Sequence, residues 1–159
     1  MEFDPQGNLF PYKVLEIDLD RFEEIFVTNF ENSETRKLLF QNYLAYIEKL
    51  KNEISNTFYQ WIDGSFVTMK LNPNDIDVVS FLNHEIYENS LTQLAELQGH
   101  KLKKEQHLDC YFVKEYPIEH KNYEIITKYD SVEWFHLFSK TRINRNGKRF
   151  SKGIIQINF

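Results

Sequence analysis

The chain has 159 residues, a formal net charge of −5 and a mean hydropathy of −0.54. That is enough for one domain with a real core, and the mildly acidic balance argues against a nucleic-acid coat protein. A single cysteine, Cys110, rules out an intramolecular disulfide and suits a reducing, cytoplasmic setting; it is expected as a small buried hydrophobe. No basic-then-apolar leader opens the chain at Met1 to Pro5, and no apolar run is long enough for a bilayer, so no membrane partner is expected.

Residues 1–13 are punctuated by Pro5, Gly7 and Pro11 and read as irregular. Asp18 is placed to cap a helix reaching about Phe30, with Phe22, Ile25, Phe26 and Asn29 at helical spacing. Ser33 caps a longer helix to about Ile54, whose buried stripe is Phe40, Tyr43, Leu44, Ile47, Leu50 and Ile54. Thr57 to Asp63 reads as a strand that stops at the Gly64-Ser65 turn, and Asp75 to Leu82 as a second strand after a Pro-Asn turn signal. A helix over His84 to Gln98, ending at Gly99, comes next, and Lys101, Lys103 and Lys104 suggest a surface turn. A strand at His107 to Val113, a loop through Pro117, a helix from about Lys121 to Phe138 and a closing strand at Gly153 to Ile157 complete the order. The expected fold is a single α/β (α+β) domain over 1–159: a small mixed sheet with helices packed against it.

The chemistry concentrates in Trp61 to Val79. Alternation along a strand puts Asp75 and Asp77 on one face while Ile76 and Val78 face a core. Two neighbouring carboxylates repel, and burying them without a partner is unfavourable. A hard divalent cation resolves that conflict, taking oxygen ligands from one or two carboxylates and the rest of its shell from water and substrate phosphates. Upstream, Gly64 permits a sharp turn, and the residues after it can open a short helix whose free N–H groups attract phosphate, with the Ser65 hydroxyl as a further donor. Lys70, between the two motifs, is a further candidate phosphate contact.

Ile62-Asp63-Gly64-Ser65 followed by Asp75-Ile76-Asp77-Val78 resembles the signature of the nucleotidyltransferase superfamily related to DNA polymerase beta. Asn8 to Pro11, Ser33 to Arg36, Gly64 to Val67 and Lys152 to Ile155 extend the resemblance to a compact bacterial group of minimal nucleotidyltransferase-like proteins. The resemblance implies a third acid on a neighbouring strand, and Asp109 is the candidate; the alternative is that Asp109 pairs with a nearby Lys or His. Asp63 is a weaker candidate, better suited to capping the Gly-Ser turn, and Glu85 and Glu115 are expected to be solvated. It also implies nucleotide contacts from Gly64, Ser65, Arg142 and Lys152. The last two belong to a basic run (Lys140, Arg142, Arg145, Lys148, Arg149 and Lys152) that is otherwise a solvated loop.

The activity so implied is Mg²⁺- or Mn²⁺-dependent transfer of NMP from an NTP such as ATP to a hydroxyl of a protein or RNA acceptor. Asp75, Asp77 and Asp109 would serve as metal ligands in a two-metal arrangement. Small relatives in the superfamily also suggest a toxin–antitoxin or phage-defence setting, with a cognate toxin or antitoxin as partner. The alternative is a nucleotidyltransferase-fold partner-binding protein without turnover, antitoxin-like or a pseudoenzyme; a nucleic-acid-binding module using the basic tail ranks below both. The five scattered histidines match no zinc spacing, and neither an acyl-transfer serine motif, a P-loop nor a dinucleotide fingerprint is present.

Overall fold

The computed structural model describes the backbone of residues 1–159 and every side chain except those of His100 and Lys101; the expectations for these two side chains lie outside it. Residues 1–13 are more ordered than their composition suggests. β1 (Glu2–Phe3) and β2 (Leu9–Phe10) pair antiparallel. The turn between them is held by Asp4, whose Oδ1 accepts from the backbone N–H of Gln6 and Asn8 at 2.9 and 2.8 Å. β3 (Val14–Glu16) follows, and three residues are too short a run to announce a strand.

Asp18 caps α1 (Leu19–Glu23) by accepting from Arg21 N–H at 2.7 Å. The helix then widens into a π-helical turn, Glu24–Thr28, that buries Ile25, Phe26 and Val27 in succession. Ser33 Oγ accepts from the N–H of Arg36 at 3.1 Å at the start of α2 (Arg36–Glu53). Its buried stripe is Leu39, Phe40, Tyr43, Tyr46, Ile47 and Leu50, with Arg36 at its head.

The main sheet runs β3-β7-β4-β5-β6, with β4 (Tyr59–Asp63), β5 (Ile76–Asn83), β6 (Leu108–Glu115) and β7 (Ile154–Asn158). β3 lies parallel to β7, β7 antiparallel to β4, β4 antiparallel to β5, and β5 parallel to β6. The parallel pair demands a crossover. It is supplied by α3 (His84–Asn89), α4 (Leu91–Glu96) and α5 (His100–Gln106). The single helix expected over His84 to Gln98 is therefore interrupted at Asn89-Ser90, two residues whose side chains compete with helical backbone bonding. The expected surface turn at Lys101 to Lys104 is likewise a helix. The helix expected from Lys121 opens as a π-helical turn, Tyr123–Thr127, and becomes α6 (Lys128–Phe138).

Strand alternation gives the sheet two unlike faces. Ile62, Val78, Cys110 and Ile155 share one, packed with the α1–α2 aromatics Phe22, Phe40 and Tyr43 in the larger core. Trp61, Val79, Phe81 and Val113 occupy the other, under Trp134 and Phe138 of α6. Asp63, Asp77 and Asp109 belong to this second face, at one end of the sheet. No helix is long and apolar enough to cross a membrane.

Candidate functional site

Register brings the acids together. Asp63 pairs with Asp77 across β4 and β5, and Asp77 with Asp109 across β5 and β6, so three adjacent strands each present an aspartate in one row. Asp75 lies one residue before β5 begins, a small correction to the expected strand start, and still on the same side as Asp77. One carboxylate oxygen from each of Asp75, Asp77 and Asp109 lies within 4.8 Å of the others. Burial, then the charges of Asp75 and Asp109, push the Asp77 carboxyl above its ordinary range.

Lys103 of α5 reaches into this cluster. Its Nζ lies 3.1 Å from Asp75 Oδ2 and donates a short hydrogen bond to Asp109 Oδ2. Burial works against the ammonium, but the bonds to Asp109 and Asp75 hold its pKa above the ordinary lysine range. Asp109 thus lies beside the other two acids and, as the alternative expected, pairs with a lysine. Among the described residues no salt bridge reaches Asp77, and one ammonium leaves three carboxylates net negative. The donor set of hard, closely spaced oxygens fits a divalent cation.

The Gly64-Ser65 turn sits against the acids. Gly64 has φ +80, and a Cβ there would fall 1.8 Å from Asp77 Oδ2, so side-chain absence and left-handed backbone are both required. Gly64 to Val67 forms a turn rather than the expected short helix; Phe66 and Val67 are fully buried, and Thr68 Oγ1 donates to Ser65 O at 2.8 Å. What fixes this stretch is Arg36, whose guanidinium donates to the carbonyls of Phe26, Phe66, Thr68 and Lys70 at 2.6–2.8 Å. It stacks 3.8 Å over the Phe30 ring. Burial alone lowers its pKa to about 10. Arg36 was not expected in this role, although a signal existed: it occupies the helical position that continues the stripe of Leu39, Phe40 and Tyr43.

These elements line a cleft of about 1070 Å³. Its lining combines the acids with the cations Lys70, Lys140, Arg142, Arg149 and Lys152 and the apolar side chains of Tyr111, Trp134, Leu137 and Ile143. The basic run is a folded-back hairpin, with Lys140 bridged to Ser151 and Thr141 N–H bonded to Phe150 O at 2.9 Å. Its tip residues Arg145 and Lys148 are exposed. Lys152, expected as a nucleotide contact, lines the same cleft but is mostly buried. It is 5 % exposed, with Nζ 2.8 Å from Asp63 Oδ2 and 3.5 Å from Gly64 O. Burial pushes the Asp63 carboxyl up to about 7 in spite of Lys152, and its Oδ1 has no hydrogen-bond partner.

Other expectations sort simply. Cys110 is buried in the core as expected. Glu85 is exposed, whereas Glu115 is half-buried and accepts from Tyr59 OH at 3.2 Å, contrary to the solvated state expected of it. His84 and His120 stack on Tyr116 at 4.4 and 4.6 Å, an aromatic arrangement and not a ligand set. No curated protein and no solved structure matches the chain. One family model does, over residues 1–158, and the chain therefore belongs to DUF6932, a family of unknown function.

Proposed function

We propose that the cleft is the active site of a metal-dependent nucleotidyltransferase that moves NMP from an NTP to a hydroxyl of a protein or RNA acceptor. The observation that carries this reading is the clustering of Asp75, Asp77 and Asp109 against the Gly64 turn, in a cleft of nucleotide dimensions that Lys70, Lys140, Arg142 and Arg149 also line. The acids would hold the cation, and Lys70, Lys140, Arg142 and Arg149 would hold the phosphates. When bound, Mg²⁺ or Mn²⁺ would supply charge neutralisation at the transferring phosphoryl group.

The chain's own part is positioning. Arg36 draws the carbonyls of Phe66, Thr68 and Lys70 inward and so fixes the turn that packs on Asp77. Lys152 is tied to Asp63 and is a support for the Gly64 carbonyl instead of a mobile phosphate ligand. The exposed Lys140, Arg142 and Arg149 are free to meet a polyanion and to exchange water for phosphate oxygens.

A second reading, a partner-binding protein without turnover, is favoured by one observation: Lys103 already pairs with Asp75 and Asp109. One experiment separates the two. The purified chain is incubated with each α-labelled NTP, Mg²⁺ or Mn²⁺, and RNA or protein acceptors, alongside a variant carrying both Asp75→Asn and Asp77→Asn. Label transfer lost in the double variant supports the enzyme. Calorimetry showing no nucleotide binding, together with capture of a partner protein by wild type and double variant alike, supports the second reading.

A further inference from the structure

We propose that Lys103 is a built-in competitor for the metal: an internal counter-cation that a divalent ion must displace, so that this one side chain sets how tightly the acidic cluster takes its ion. The inference rests on the reading of Asp75, Asp77 and Asp109 as a cation site.

Three observations lead there. First, Lys103 uses the carboxylates a metal would use, contacting Asp75 Oδ2 and Asp109 Oδ2 together, so an ammonium and a dication would be like charges within the same three-acid cluster. Second, the lysine is not locked. Its side chain is 35 % exposed, and an ammonium on a four-carbon stem can retire to solvent by rotamer change while α5 stays seated. α5 has its own anchors for that: Leu102 is buried, and Asn42 Nδ2 donates to Gln106 O at 2.9 Å.

Third, charge demand persists with Lys103 in place. Asp77 has no ion pair among the described residues, and next to it Asp63, 4 % exposed, keeps an Oδ1 without a hydrogen-bond partner on the lining of the same cleft. A lysine that satisfied the cluster fully would leave no such demand. One that satisfies it in part serves as a placeholder, limiting repulsion among the acids before a metal arrives and lowering apparent affinity by the fraction of time it occupies the site.

The test is Mn²⁺ binding to the full chain, with Mn²⁺ alone as probe, followed by electron paramagnetic resonance of the free ion. Wild type is compared with Lys103→Met, which keeps the stem without charge, and Lys103→Arg, which keeps a charge. Lys103→Met is expected to bind Mn²⁺ about tenfold more tightly or better, as removal of a competitor populated about nine-tenths of the time requires; Lys103→Arg is expected to bind no more tightly than wild type. A second measurement needs no variant: in ¹⁵N-lysine-labelled wild type, the protected Lys103 ammonium signal should lose its protection as Mg²⁺ is added. Equal Mn²⁺ affinity in wild type and Lys103→Met, or a Lys103 signal still protected at Mg²⁺ saturation, overturns the exchange while leaving the cation site standing. If neither protein binds Mn²⁺ at millimolar concentration, the cation site and the proposed function fall together.

Discussion

Two regions of this molecule bury charge, and they do it in opposite ways. Around Arg36 one cation meets four carbonyl oxygens and a phenyl face, with no carboxylate in the ion-pair set. Around Asp77 four carboxylates share two ammoniums, Lys103 with Asp75 and Asp109 and Lys152 with Asp63, and Asp63 keeps one oxygen without a partner. Carbonyl dipoles cannot leave, so the first region is held in place, although the buried Arg36 Nε itself lacks a hydrogen-bond partner. The second is under-neutralised and lines a cleft, a set of closely spaced carboxylates that could hold a metal ion. The two arrangements differ even though Arg36 and Asp77 both pack against the same Gly64–Lys70 segment.

Three experiments would break or sharpen that contrast. The largest effect is expected from Arg36→Met, which leaves buried carbonyls unpaired and should lower unfolding free energy by about 3 kcal/mol or more, read from urea denaturation. A loss under about 1 kcal/mol would mean the clamp is not what holds the turn. Asp77→Asn should act in the opposite direction. With repulsion from Asp75 and Asp109 relieved, metal-free stability should rise by on the order of 1 kcal/mol. Stabilisation by added Mn²⁺ should disappear in the same thermal melts; a metal-free protein weakened by the change would contradict the under-neutralised picture.

The third experiment concerns pH. Asp63 ionises near 7 when folded against an ordinary 3.8, so the folded protein keeps a proton that the unfolded chain releases between those values. Its contribution to stability is therefore full below about 4 and is lost as pH rises through about 7. Melts across that window should show the decline, and Asp63→Asn should flatten it. A carboxyl-carbon titration placing Asp63 in the ordinary range would remove the basis for this slope.

Much of this arrangement was legible in residue patterns. Asp75, Asp77 and Asp109 each stand near the start of an apolar run, and the parallel pairing of β5 with β6 puts such starts side by side. The Gly-Ser turn and the α2 stripe were readable because both follow from local periodicity. Lys103 was not. Its helix is mostly polar, with Leu102 its buried anchor, and the acids that give it meaning lie on two strands it meets only in three dimensions. Arg36 was half-visible, a cation on an apolar stripe whose carbonyl partners no spacing rule announces. The three-residue β3 was set by its pairing with β7, where local propensity is a weak guide.

β7 is the most C-terminal strand, yet it lies inside the sheet between β3 and β4. During synthesis, β4, β5 and β6 can assemble before it exists, but β3 has no partner in the main sheet until residues 154–158 emerge. Lys152, which ties to Asp63, also arrives late. Asp63 would thus belong to the early part of this protein and its ion-pair partner to the late one, so a nascent chain stalled before residue 152 would carry the Asp63 carboxyl without the ammonium that braces it. Long-range pairing of this kind slows folding and leaves a sheet edge open meanwhile.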